Sequence, residues 1–357
     1  MEKKRVRFEK DNFLIEGDVY LLDANSQHGY NCGISIFIPK NCQQNTTLLM
    51  HSCNTGNNVP IHLSEANDIA KRSTYEKPNH GMWLGYDLQM PVMIPLIPRM
   101  QGYYTQALGS KVWHNDVSGL IANQERRRPE NVLSFAEIRD IKEQCRDIPN
   151  QVACMITEAK NFLRSLGYQI DEKIIAEGYS AGSRFANCFT ALYPNLVKAC
   201  ICGGNSGLGI LPITEYQGQQ LKYPLGVADV PAFDFEAFRQ IPQLYYIGTE
   251  DYNDPAMLDT TYQQDGRLQP RYKENFTQEE IEQIYTLLGE NPQVRFNNNE
   301  ALYSELGINA TFRRFPGNHN TVTQQKDGDI IVTNECIKDF IRGVLQEELD
   351  FNDTYQP

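Results

Sequence analysis

Ser180, a group of carboxylates beginning at Glu250 and His319 occur in this 357-residue chain in an order that can run nucleophilic acyl transfer. Ser180 lies in Glu177-Gly178-Tyr179-Ser180-Ala181-Gly182, a G-x-S-x-G pentapeptide that follows the apolar run Ile174-Ile175-Ala176. In a nucleophile elbow such a serine is thrown forward on a sharp turn between strand and helix. Gly178 and Gly182 leave room for the bend. A serine hydroxyl is a weak nucleophile until a base takes its proton, and the base needs a third group to hold its tautomer and stabilise its cation.

His319 is the only histidine after Ser180, in the turn-rich stretch Pro316-Gly317-Asn318-His319-Asn320. It is the expected base. The acid is expected just beyond the apolar run ending in Ile247, where Gly248-Thr249-Glu250-Asp251-Tyr252-Asn253-Asp254 offers three carboxylates. Asp251 is the first choice, with Asp254 next and Glu250 third; the earlier loop Gly203-Gly204-Asn205-Ser206-Gly207 offers no acid. An oxyanion hole requires two N–H groups aimed at the oxygen that becomes negative. Ala181, after the nucleophile, should supply one. The other should follow the early central strand, in Met50-His51-Ser52-Cys53-Asn54, from Cys53 or Asn54. His51 reads as a hydrogen-bonded tie between loop and sheet rather than a catalytic group.

These residues need a frame that brings distant loops to one edge. Val6 to Phe8, Phe13 to Tyr20 and Gly33 to Ile38 alternate and are separated by turn residues, which predicts antiparallel strands at one side of a sheet. Short continuous apolar runs follow at Thr47 to Met50, Val92 to Ile97, Ile174 to Ala176, Val197 to Cys202 and Leu244 to Ile247, with a last run from Ala310 to Phe315. Such runs suit strands covered on both faces. Helical spacing appears after Ser134, from Val152 to Leu166, from Phe185 to Leu192, after Thr277 and from Cys336 to Leu345. Strands alternating with helices predict an α/β domain with a mostly parallel central sheet covered on both faces.

One domain is expected from residues 1–357, with insertions at about 54–91, 102–133 and 252–308 that exceed ordinary connections and read as a lid or canopy. Trp83, Tyr86, Tyr103, Tyr104 and Trp113 concentrate in the first two insertions. Together with Tyr179 they are candidates for a substrate pocket with an aromatic wall, the alternative being that they pack the canopy onto the domain. His114-Asn115-Asp116 lacks a spaced partner for a metal, and neither metal nor cofactor is expected.

A formal charge of −12 argues against nucleic acid or an anionic membrane as the main partner. The basic run Arg126-Arg127-Arg128 reads as a solvated loop. Met1-Glu2-Lys3-Lys4-Arg5 is followed by no apolar signal region, so a cytoplasmic protein is expected. Nine cysteines do not form a disulfide pattern, and Cys200-x-Cys202 reads as two thiols on one face of a buried strand.

With those residues in view, the chain resembles the α/β-hydrolases over roughly residues 46–349. The stretch from Glu177 to Gly204, containing GYSAGSRFANCFTALYPNLVKACICGG, resembles poly(3-hydroxybutyrate)-depolymerase-like and related carboxylesterases, where an S-A-G elbow leads through a helix and a Y-P turn to the next strand. The resemblance implies a carboxylic-ester hydrolase acting through an acyl-enzyme. Two departures from secreted polyester hydrolases, the missing signal peptide and the missing polymer-binding module, point to a small soluble ester rather than a solid polymer. A peptidase or acyltransferase would use the same parts, and a binding protein on a hydrolase frame is the non-enzymatic alternative.

Overall fold

The computed structural model describes residues 1–10, 13–52, 63–98, 135–254, 256, 262–264, 267–269, 278–320 and 332–354. Nine strands form one sheet: β1 (Glu2–Lys10), β2 (Phe13–Leu22), β3 (Gly33–Pro39), β4 (Leu49–Ser52), β5 (Val92–Leu96), β6 (Ile174–Tyr179), β7 (Val197–Gly203), β8 (Gln243–Gly248) and β9 (Ala310–Phe315). Their spatial order is β1-β2-β3-β5-β4-β6-β7-β8-β9. The first three are antiparallel to their neighbours, and β3 pairs antiparallel with β5. From β5 to β9 every pairing is parallel. Each of the expected runs has become a strand of this sheet.

The helices are α1 (Leu63–Arg72), α2 (His80–Leu88), α3 (Phe135–Gln144), α4 (Ile148–Ser165), α5 (Ala181–Leu192), α6 (Phe235–Gln240), α7 (Gln278–Leu287), α8 (Pro292–Glu305) and α9 (Val332–Thr354). Successive residues of a strand face opposite sides, and the sequence uses this throughout. Ile174, Ala176, Cys200, Cys202, Tyr245 and Ile247 share one apolar cluster with Val152, Met155 and Ile156 of α4 and Phe185 and Phe189 of α5. Ile175, Ala199, Ile201, Leu244 and Tyr246 join a second cluster with Met82 and Leu84 of α2 and Ile337 and Ile341 of α9. Full burial of such side chains stabilises by about 1.5–3 kcal/mol each. Cys200 and Cys202 lie side by side with Sγ atoms 3.5 Å apart, as core thiols.

Parts of the expected insertions belong to the frame instead. Residues 63–88 provide α1 and α2 in the crossover from β4 to β5, and Met82 and Leu84 pack on the sheet. The Asn79 side chain accepts from the Met82 N–H and starts α2, a signal the sequence carries without an apolar period beside it. Likewise α8 lies in the crossover from β8 to β9, with Phe296 and Tyr303 buried in the first cluster. Its start is set by Pro292 and by Asn291, which accepts from the N–H groups of Gln293 and Val294. The insertion expected at 102–133 lies outside the described residues. Among the described residues no helix is long and apolar enough to cross a membrane.

Candidate active site

Ser180 occupies the bend between β6 and α5 with φ 56° and ψ −123°. A non-glycine residue with such a φ carries strain of about 1–3 kcal/mol, which the surroundings must offset. Its N–H donates to the Gly203 carbonyl at 2.7 Å, and its carbonyl accepts from the Ser183 N–H at 3.1 Å. A Cβ built at Gly178 would stand 2.4 Å from the carbonyl carbon and oxygen of Gly182, so the return of the chain into α5 requires glycine there. Ala181 is the first residue of α5, where backbone N–H groups have no intrahelical acceptor.

His319 follows β9 and brings Nε2 to 2.9 Å from Ser180 Oγ. Its Nδ1 lies 2.8 Å from Asp251 Oδ2. Asp251 accepts only, so the proton on this edge belongs to Nδ1 and leaves the Nε2 lone pair toward the serine. The Asp251 side chain has no exposure and its Oδ1 accepts from the Asn253 N–H at 3.0 Å. The two loops are stitched together: Thr249 N–H donates to Phe315 O and Glu250 N–H to Gly317 O. Gln293 of α8 donates to the carbonyls of both Gly248 and Asp251, at 2.8 and 2.9 Å.

The other two carboxylates have different surroundings. Asp254 is held by Arg295 at 2.7 and 3.0 Å, and Glu250 is exposed. Tyr179, a candidate for the pocket wall, is instead buried. Its hydroxyl donates to the His319 carbonyl at 2.6 Å and its ring stacks on Tyr246. Burial, with the Asp251 charge adding to it, pushes this phenol well up, so it remains a donor. Tyr86 corrects the pocket expectation more sharply. Its carbonyl accepts from Asn41 beyond the end of β3, the edge of the sheet opposite Ser180, because α2 runs back toward the start of β5. Tyr86 and Trp83 both pack against the second apolar cluster. Tyr103, Tyr104, Trp113, Cys53 and Asn54 lie outside the described residues.

His51 lies within β4 itself and ties that strand to β6 through an interaction with Glu177, instead of tying a loop to the sheet. Glu177, His80, Asn253, Gln293 and Arg295 were not singled out by the sequence. Glu177 offered one signal: a carboxylate within a strand otherwise built for burial must find partners.

The parallel strands thus deliver serine after β6, acid after β8 and histidine after β9 to one edge of the sheet. The fold is that of the α/β-hydrolases. No family model matches the sequence, and no curated protein does. Among solved structures, the chain is similar to poly(aspartic acid) hydrolase-1 from Sphingomonas sp. KT-1, at 16% identity over 84% of this chain and 90% of that one, with a TM-score of 0.48. It is also similar to a poly(3-hydroxybutyrate) depolymerase from Bordetella parapertussis, at 11% identity over 94% and 88% of the two chains, TM-score 0.45. A ferulic acid esterase from Anaeromyces mucronatus aligns at 12% identity over 95% and 96%, TM-score 0.42. On this frame the arrangement of Ser180, His319 and Asp251 is suited to taking a proton from a hydroxyl and holding the resulting imidazolium.

Proposed function

We propose that this chain is a serine hydrolase that cleaves a small carboxylic ester through an acyl-enzyme. The observation that carries the reading is the continuous path from Ser180 Oγ through His319 to Asp251, at 2.9 and 2.8 Å. Folding alone requires no such path, which favours an enzyme over a binding protein on the same frame.

In the acylation step Ser180 Oγ forms a bond to the ester carbonyl carbon while His319 Nε2 takes the hydroxyl proton. The carbonyl π electrons move onto oxygen, where the Ala181 N–H and one from Cys53 or Asn54 stabilise the charge. Collapse of this tetrahedral species breaks the bond to the leaving oxygen, which receives the proton from His319. Water then repeats the sequence on the acyl-enzyme, releasing the acid and restoring Ser180. Asp251 keeps the Nδ1–H tautomer and offsets the imidazolium charge at both stages.

A fluorophosphonate probe should label Ser180 stoichiometrically at neutral pH, and Ser180→Ala should abolish labelling. A screen of esters over acyl chain length and aromatic acyl groups, run with wild type and Ser180→Ala, tests the activity and gives the acyl preference. Folded wild type that neither takes the probe nor hydrolyses any ester would overturn the proposal.

A further inference from the structure

Glu177, three positions before Ser180 on β6, has a fully buried side chain and stands in register with His51 of β4. Its Oε2 accepts from His51 Nδ1 at 2.5 Å and its Oε1 from His80 Nδ1 at 3.0 Å. The second nitrogen of His80 donates to Asn334 Oδ1 on α9 at 3.1 Å. Each ring nitrogen of His80 thus faces an oxygen, an arrangement that favours the protonated ring. The ring occupies the first position of α2, where the helix dipole disfavours positive charge. The Glu177 carboxylate offsets that cost.

β4, β6 and α2 therefore meet at one carboxylate, and α9 joins them through His80. A Cβ at Gly81 would lie 2.4 Å from His51 Cβ and Cγ, so the backbone of α2 presses directly on the His51 ring. One residue beyond His51, Ser52 pairs in register with Gly178 of the nucleophile turn. Cys53 and Asn54, the expected sources of the second oxyanion N–H, follow Ser52 in the chain.

We propose that Glu177 is a positioning residue for acylation: pinned between His51 and His80, it fixes the end of β4 against the turn that carries Ser180. The role rests on the serine-hydrolase reading. Burial raises the Glu177 carboxyl, but the His51 and His80 rings outweigh it and hold the group at about 2. Burial lowers His80, and the charge and hydrogen bond of Glu177 together with Asn334 outweigh that, leaving it above its ordinary value. Among the described residues, Cys202 of β7 and Tyr246 of β8 feel the Glu177 charge, and Tyr179 of β6 and Cys336 of α9 lie in reach of Tyr246. Burial pushes all four up, so they stay neutral while His80 titrates.

The test compares wild type, Glu177→Gln and Ser180→Ala with p-nitrophenyl acetate across pH, and follows the His80 ring by NMR. In Glu177→Gln, kcat should fall about ten- to a hundred-fold with KM little changed, because the substrate still binds while the donors are misplaced. Wild-type kcat should fall on the alkaline side as His80 loses its proton, a limb absent from the variant. The His80 resonance should titrate above the ordinary histidine range in wild type and drop in Glu177→Gln. His80→Gln, at a site with some exposure, should reproduce the kcat loss if Glu177→Gln does not fold. A folded variant with unchanged kcat, or one that keeps the alkaline limb, overturns the role. Wild type no more active than Ser180→Ala overturns the hydrolase reading and the catalytic role with it, while the His80 titration reports separately on the ion pair.

Discussion

Arg295 grips Asp254 with both terminal nitrogens, Nη1 to Oδ1 at 2.7 Å and Nη2 to Oδ2 at 3.0 Å, in a site where the arginine side chain has no exposure. The same guanidinium donates from Nε to the Gly289 carbonyl at 2.8 Å. Asp254 also accepts from the Ala256 N–H, so its carboxylate is committed to closing the loop that carries Asp251. Arg295→Met keeps bulk but leaves a buried carboxylate without its cation, which costs about 3–5 kcal/mol. The urea midpoint should fall accordingly and recover in part in the double variant Asp254→Asn, Arg295→Met. A single variant as stable as wild type would show that the pair contributes nothing.

Asp251→Asn tests the proposed acid against its neighbours. The amide has nearly the shape of the carboxylate but can present a donor to His319 Nδ1, favouring the tautomer with its proton on Nε2. That proton faces Ser180 and blocks general-base action, so kcat should drop about 10⁴-fold. Glu250→Gln, at an exposed position, should change kcat/KM by no more than about two-fold. Steady-state rates on one chromogenic ester decide between them; comparable losses in both variants would refute the assignment of Asp251.

Tyr179→Phe removes the hydroxyl that donates to the His319 carbonyl at 2.6 Å and leaves the ring stacked on Tyr246. The net loss of one such hydrogen bond is about 0.5–1.5 kcal/mol of stability. Its larger expression should be kinetic, because the bond holds the backbone of His319, the proposed base. A fall in kcat of about ten-fold is expected. Since burial keeps the wild-type phenol protonated, the ratio of wild-type to variant rates should be flat from pH 6 to 9. A ratio that follows a titration over that range would mean that Tyr179 takes part in proton transfer.

The sheet was legible because its strands are built for burial on both faces, and continuous runs such as Ile174 to Ala176 and Val197 to Cys202 leave little choice. Chain order against that sheet nominates Ser180, Asp251 and His319, and the fold brings their side chains within hydrogen-bond distance. By contrast, the segments that form α2 and α8 look like canopy in the sequence. Their cores are short and interrupted: α2 buries Gly81 and Gly85 beside Met82 and Leu84, and α8 buries Arg295 and Asn299 beside Phe296. A helix whose packing face includes glycine or a paired arginine loses the apolar period that reveals it. Glu177 was hidden for a related reason, since its partners His51 and His80 come from separate segments and meet only across the folded sheet.

The stability of the protein should carry the signature of the Glu177 and His80 pair. Glu177 moves from an ordinary value of 4.5 to about 2 on folding, so its contribution is full above 4.5 and is lost as pH falls from there through about 2. On the order of 3 kcal/mol is at stake in that window. His80 moves the other way. Its raised value gives a contribution that is full below its ordinary 6.5 and is lost as pH rises through the folded value. The two dependences overlap between 4.5 and 6.5, where the difference in unfolding free energy between wild type and Glu177→Gln should be greatest. Urea unfolding at a series of pH values measures it directly. The difference should shrink toward acid as the carboxylate is protonated and toward alkali as the imidazolium is lost; a constant difference across the range would mean that shape, and not charge, accounts for the burial of Glu177.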